Sequence, residues 1–161
     1  SKKNQNYLYF RKANMGDLST YYKWLNDVEV RSQSYNSNIV NFESHKNWFE
    51  LKVNDKMCFL LIFQNKEKKN IGQVRIQKKS DKDALIGVSV DEKYRGKSYA
   101  TYMLKIAVQY FLSLNPLIII NAYIKLDNLI SKTIFEKAGF KFVKIVEYQK
   151  FNSYHYIKMK K

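Results

Sequence analysis

The chain has little that could staple or interrupt it. Its 161 residues include one proline, one cysteine and five glycines. A lone cysteine excludes an internal disulfide, and with it a cystine-stapled secreted scaffold. Cys58 lies in the apolar run 57–63, where a buried, inert thiol is expected rather than a nucleophile. No linker-like stretch and no repeat interrupts the chain, so one domain over 1–161 is expected. No apolar run approaches membrane-spanning length and none reads as a secretory signal, so a cytoplasmic location without membrane contact is expected. Arginine is scarce as well. Four of the 29 basic residues are arginine, namely Arg11, Arg31, Arg75 and Arg95, and the lysines are scattered. The net charge of +15 favours anionic partners. Nucleic-acid readers lean on arginine for bidentate contacts, so nucleic acid is not the expected partner. With 45% hydrophobic and 16% aromatic residues the chain is not disordered.

Glycine is also missing where two common phosphate loops need it. Gly96-Lys97-Ser98 looks like the end of a P-loop, but Asp91 stands where the first glycine belongs. The dinucleotide fingerprint needs three glycines, and this segment has Gly96 alone. What is present is a strand-like run, 85–90, that turns through Gly96 and small residues into a helix-like run from Tyr99. Such a turn aims backbone N–H groups and the positive end of a helix dipole at one point, which suits phosphate. Arg95 and Lys97 add charge there.

The pattern along the chain predicts an α+β protein. Residues 7–11 read as a strand, and Asp17 is placed to cap a helix carrying Leu18, Tyr21, Tyr22 and Leu25 on one face. Asn26-Asp27 ends that helix, and the polar stretch 32–38 reads as a loop. Asn41 caps a second helix to about Val53, with His45, Trp48, Phe49 and Lys52 at helical spacing. Strands are predicted at 57–64, 71–78, 84–90, 117–124, 142–149 and 154–159. The long helix from Tyr99 carries Met103, Leu104, Ala107, Tyr110 and Phe111 as its core stripe. A short helix follows, with Asn128 as N-cap, Ile130, Ile134 and Ala138 as buried stripe, and Gly139 as left-handed C′ residue. The order is β-α-α-β-β-β-α-β-α-β-β, a central mixed, mostly antiparallel sheet flanked by helices.

Two segments carry a resemblance to a known family. Arg95-x-x-Ser98-x-Ala100 resembles the acyl-CoA pyrophosphate loop of the GNAT N-acetyltransferases, with Ser98 where glycine is usual. Asn128-x-x-Ser131-x-x-x-Phe135-x-x-x-Gly139-Phe140 resembles that family's last motif, with Phe135 where tyrosine is usual. The resemblance implies the GNAT fold and acetyl-CoA as cofactor. It implies that Val88, Ser89 and Val90, on a strand bulged near Gly87, hold pantetheine and the acetyl oxygen. It places the pyrophosphate on Arg95, Gly96, Lys97, Ser98, Tyr99 and Ala100, with Asn128, Ser131 and Phe135 on the other side of the cofactor. In the family the tyrosine commonly protonates the leaving thiolate. Phe135 cannot, so Ser131 or water is the candidate acid and Phe135 is read as packing. Many members carry a glutamate base on the strand, and this chain offers Ser89 instead. His45 is the candidate base because imidazole titrates near neutrality. His155 is a weaker candidate, and Asp27, Glu29 and Glu50 read as surface carboxylates.

The first helices and their loop build the acceptor side of that fold. Here they supply Trp24, Asn26, Arg31, Tyr35, His45 and Trp48. Aromatic rings stack on a base or sugar, and an arginine forks onto phosphate. The region resembles acetyltransferases of bacterial nonulosonic acid pathways, which act on the 4-amino group of UDP-amino sugars leading to pseudaminic or legionaminic acid. Their Trp-Arg-Asn is Trp24-Leu25-Asn26 here. The expected partner is therefore a small acceptor, a nucleotide-linked amino sugar. Acetylation of a protein N-terminus, as in ribosomal-protein relatives, or of a polyamine stays open. So does a non-enzymatic basic module that binds nucleic acid. A polyamine site needs an acidic cluster, and this region has only Asp27, Glu29 and Glu43. No metal is expected, and a monomer or a homodimer is compatible with the sequence.

Overall fold

The computed structural model describes residues 7–161. Its strands are β1 (Tyr9–Lys12), β2 (Cys58–Gln64), β3 (Asn70–Lys78), β4 (Asp83–Val90), β5 (Ile119–Lys125), β6 (Lys141–Tyr148) and β7 (Phe151–Lys158). They form one sheet in the order β1-β2-β3-β4-β5-β7-β6. Neighbours run antiparallel except β4 and β5, which are parallel. The helices are α1 (Leu18–Leu25), α2 (Val28–Gln33), α3 (Phe42–Val53), α4 (Tyr99–Leu114) and α5 (Leu129–Lys137).

The near-continuous apolar run of β2 is explained by two covered faces. Alternate side chains on a strand point to opposite sides. Leu61 and Phe63 enter one core with Met103, Leu104 and Phe111 of α4. Leu60 and Ile62 enter a second core with Tyr21 and Trp24 of α1 and Phe49 of α3. Each such fully buried side chain contributes about 1.5–3 kcal/mol. Helix α4 packs on β3 and β4. Gly72 permits the close approach. A Cβ there would stand 2.4 Å from the Ser89 carbonyl oxygen and 2.8 Å from Met103 Cε.

The structure departs from the sequence-based expectations at four places. A short helix, α2, occupies 28–33, where the polar composition of 32–38 pointed to loop. Asp27 caps it by accepting from the N–H groups of Glu29 and Val30. Asp17 does not cap α1 through its side chain. Its carboxylate instead takes both guanidinium nitrogens of Arg11 at 2.8 Å and the Asn14 N–H at 2.9 Å. Ile130 is 70% exposed rather than buried, and Phe135 fills the core side of α5. Finally, β4 carries no bulge at Gly87, because its register with β3 runs unbroken from Gly72↔Val90 to Lys78↔Ala84. The irregularities fall in β2 at Phe63/Gln64 and in β6 at Phe142/Lys144.

Candidate active site

The site begins where β4 gives way to α4. Asp91 ends the strand with its N–H bonded to the Ile71 carbonyl at 2.8 Å. Its buried carboxylate accepts from Trp24 Nε1 at 2.9 Å and from the Lys93 N–H at 3.0 Å. Burial pushes that carboxyl up. The Trp24 bond, the Lys93 N–H and the Lys23 charge outweigh it and hold the group below its ordinary value. A 3-10 turn over Glu92–Tyr94 follows. Arg95 is extended at φ −68°, ψ 156°, and Gly96 follows at φ +76°, a conformation that glycine adopts without strain. Ser98 then takes the left-handed conformation, φ +66°, ψ 14°, and no side chain caps α4. The first-turn N–H groups of a helix have no partner within it, so this 16-residue helix offers them, with its dipole, to an anion.

The second element is a gap in the sheet. β4 and β5 pair only where 83–85 meet 119–121. Beyond that point the strands separate, and the β5-facing edge of β4 from Ile86 to Val90 has no strand partner among the described residues. An unpaired edge presents alternating N–H and C=O groups to an extended ligand. Helix α5 stands across the gap. Asn128 Oδ1 caps it by accepting from the Ser131 N–H at 3.2 Å. Gly139 closes it at φ +93°, and Phe140 packs edge-on against Phe135 at 5.0 Å.

These elements open onto one cleft of about 860 Å³. Of the residues predicted to hold the cofactor, Val88, Ser89 and Val90 line it from β4, and Arg95, Gly96, Ser98, Tyr99 and Ala100 from the loop and α4. Asn128, Ser131 and Phe135 line the opposite wall. Lys97 does not line it. Arg95 does, but its guanidinium is held by Asp27 at 2.7 Å and Glu29 at 2.9 Å. Ser89 Oγ accepts from Gln73 Nε2 at 2.9 Å.

The predicted acceptor residues are placed elsewhere. None of Trp24, Asn26, Arg31, Tyr35, His45 and Trp48 lines the cleft. Trp24 is buried on Asp91. Asn26 ties its side-chain amide to both the N–H and the carbonyl of Val40. The Arg31 guanidinium is spent on the carbonyls of Leu25, Asn36 and Asn38 and on Ser34 Oγ, so it organises a loop. Tyr35 bonds Ser153 Oγ at 2.7 Å and packs on Tyr148 and Phe151. His45 is 2% exposed, stacked among Tyr22, Trp48 and Phe49, and neither ring nitrogen has a protein partner. Burial pushes its imidazole below the ordinary value. It is a core residue and cannot serve as base at this cleft. Trp48 lies under the Arg75 guanidinium at 5.4 Å. The reserve candidate His155 bonds Asn121 Oδ1 at 2.8 Å and does not line the cleft either.

Other residues complete the lining of the cleft. Glu29, Val30, Gln33 and Ser34 line the cleft from one face of α2, at the i, i+4 spacing of a helix. That spacing was readable in the sequence once 28–33 is taken as helical. Tyr123, Ile124 and Lys125 line it from the end of β5. Behind them stand Tyr148, stacked on Tyr123 at 4.1 Å, and Phe151, 4.1 Å from Lys125 Nζ.

Residues 7–141 match the sequence model of the acetyltransferase (GNAT) domain. The chain belongs to the GNAT family. As a GNAT domain it is an acetyl-CoA-dependent N-acetyltransferase, and its open β4 edge and uncapped α4 start fit that cofactor. The fold is similar to spermidine N-acetyltransferase from Vibrio cholerae in complex with CoA and spermine, with a TM-score of 0.86, 17% identity and 95% of each chain covered. It is also similar to aminoglycoside acetyltransferase AAC(6')-Ib in complex with coenzyme A, with a TM-score of 0.81, 17% identity and 95% of each chain covered. No curated protein matches the GNAT chain.

Proposed function

We infer that this enzyme acetylates the primary amine of an anionic small molecule, of which a nucleotide-linked amino sugar is the fitting class. The charge of the cleft carries the inference. Among its lining residues Glu29 is the only carboxylate, and Arg95 pairs with it at 2.9 Å while also pairing with Asp27 at 2.7 Å. Lys125 and Lys137 line the same cleft as further cations. A polyamine or an aminoglycoside is polycationic and needs unpaired carboxylates to replace its water. Like charges at the mouth disfavour it. The neighbours that act on such substrates share the fold at 17% identity, which does not transfer their acceptors. Lys125, beside the edge of the stacked Tyr123 ring, suits an acceptor carrying phosphate. The resemblance of 24–48 to amino-sugar enzymes of nonulosonic acid synthesis points to the same class. Its named residues act in that case by shaping the acceptor wall rather than by touching it.

When bound, acetyl-CoA supplies an activated acyl group as a thioester. The β4 edge from Ile86 to Val90 supplies backbone groups along the cleft, and the start of α4 supplies N–H groups for the pyrophosphate. Asn128 spends its oxygen on the cap and keeps its NH2 for a ligand. An attacking amine must be neutral, and the one lining carboxylate is ion-paired. No unpaired carboxylate lines the cleft to deprotonate the acceptor ammonium before attack, so the acceptor's own ionisation governs the rate. The dependence of kcat/KM on pH then follows the acceptor amine.

The test is thiol release from acetyl-CoA with a panel of acceptors: a UDP-4-amino sugar, spermidine, kanamycin and a peptide with a free N-terminus. Fastest turnover with the UDP-amino sugar supports the reading. Spermidine or kanamycin as the best acceptor overturns it.

A further inference from the structure

Where β4 and β5 part company, one tyrosine faces the gap. Carrying the 85↔121 pairing two residues on sets Tyr123 level with Gly87, across the opening and on the same face of the sheet. Both line the cleft. A Cβ built on Gly87 meets nothing within 4 Å, so the space beside Tyr123 is open. The loop at 95–100 holds the pyrophosphate end of the cofactor. The acyl end therefore lies back along the open edge of β4, toward Gly87.

The ring of Tyr123 is clamped. It stacks on Tyr148 at 4.1 Å and 5° between planes, and on His155 at 4.6 Å and 10°. His155 is itself fixed by Asn121 at 2.8 Å. The hydroxyl of Tyr123 makes no hydrogen bond among the described residues, so it is at the disposal of a ligand. Burial first, then Tyr148 and Asp83, push its phenol above the ordinary value, which keeps it a donor. The other hydroxyls of the cleft fit the role less well. Tyr94, Ser98 and Thr101 belong to the pyrophosphate end, and Thr133 bonds the Leu129 carbonyl. Ser89 is engaged by Gln73, and Ser131, the acid expected from the sequence, lines the cleft but is likewise an alcohol, a far weaker acid than a phenol. Phe135 has no hydroxyl at all.

We propose that Tyr123 is the general acid of the acetyl transfer. The acceptor nitrogen bonds to the acetyl carbon and the C–S bond breaks, leaving its electron pair on sulfur. Tyr123 gives its hydroxyl proton to that sulfur. The nitrogen, now amide-bound, sheds a proton that restores the phenol. Thioester and amine become amide and thiol, and Tyr123 ends as it began. The proposal rests on acetyl transfer alone and not on the anionic acceptor.

Tyr123→Phe keeps the ring and its stack, and Tyr148→Phe is the control that removes a neighbouring hydroxyl. Coenzyme A alone is the first probe, read by the ultraviolet absorbance of its thiolate across a pH series on the protein. A donor on sulfur stabilises the thiolate, so Tyr123→Phe should raise the pH at which the bound thiol ionises by about one to two units. Tyr148→Phe should leave it in place. With any working acceptor, Tyr123→Phe should lower kcat about 100-fold while the acetyl-CoA KM stays near the parent value. A thiol titration that does not move in Tyr123→Phe, a full kcat, or loss of coenzyme A binding in that variant would each overturn the assignment. Because the titration needs no acceptor, a failed acceptor panel and a failed acid are told apart.

Discussion

Arg95, in the cofactor loop, reaches across to Asp27, the N-cap of α2, with Nη2 2.7 Å from Oδ1. Its other terminal nitrogen is 2.9 Å from Glu29. One side chain thus joins the loop at the start of α4 to α2, two walls of the same cleft. Asp27 has two tasks, because the same oxygen accepts from the N–H groups of Glu29 and Val30. Asp27→Ala removes the cap and the ion pair together and should cost about 1–2 kcal/mol. Arg95→Ala removes only the two partly exposed ion pairs and should cost under about 1 kcal/mol. Its larger effect should be a raised acetyl-CoA KM. Urea denaturation and calorimetric titration with coenzyme A separate the two quantities.

Trp24 acts through Asp91. Replacing it with Phe leaves a buried carboxylate short of its indole donor, at a cost of about 1–3 kcal/mol. Asp91 also holds the turn that starts the loop, through the Lys93 N–H. Trp24→Phe should therefore raise the KM for acetyl-CoA and leave that for the acceptor unchanged. A selective rise in acceptor KM would return Trp24 to the acceptor site.

His45 should matter to stability and not to chemistry. Its folded value is depressed, so below the ordinary imidazole value of 6.5 the unfolded chain binds more protons than the folded one. The contribution is complete above that pH and is lost as pH falls toward the folded value. His45→Phe should flatten this part of the stability profile below about pH 6.5, measured by denaturant midpoints. Its kcat should stay within about threefold of the parent, well short of the 100-fold that loss of a general base costs.

Ser98 holds a left-handed backbone without using its hydroxyl as a cap. Glycine adopts that conformation freely, and a β-branched residue resists it. Ser98→Gly should preserve or raise thermal stability and lower the acetyl-CoA KM. Ser98→Val should destabilise by about 1–2 kcal/mol and raise it. Thermal melts with and without coenzyme A decide the matter.

Two glycines on paired strands should respond in opposite ways. Gly72→Ala drives a Cβ into the Ser89 carbonyl, so β4 must move, and about 1–3 kcal/mol should be lost. Gly87→Ala meets open space. It should leave the melting temperature unchanged and lower turnover, because the added methyl enters the cleft beside Tyr123. Equal loss of stability in both variants would show that Gly87 is structural.

The sequence by itself determined what is local. Hydrophobic alternation and caps lie within a few residues of each other, so Asn41 and Asn128 were legible as N-caps and Gly139 as the left-handed terminator. The loop from Arg95 to Ala100 was legible for the same reason, because missing glycines and a strand-to-helix switch are local facts. The tertiary structure decided what depends on partners far along the chain. Trp24 meets Asp91 across 67 positions, and Arg95 meets Asp27 across 68. An arginine, a tryptophan or a histidine has the same letter whether it faces a ligand or fills a core, and only packing chose the core for His45. Tyr123 and Lys125 entered the cleft because β4 and β5 stop pairing after three residues, a separation fixed by the sheet as a whole and written in neither strand.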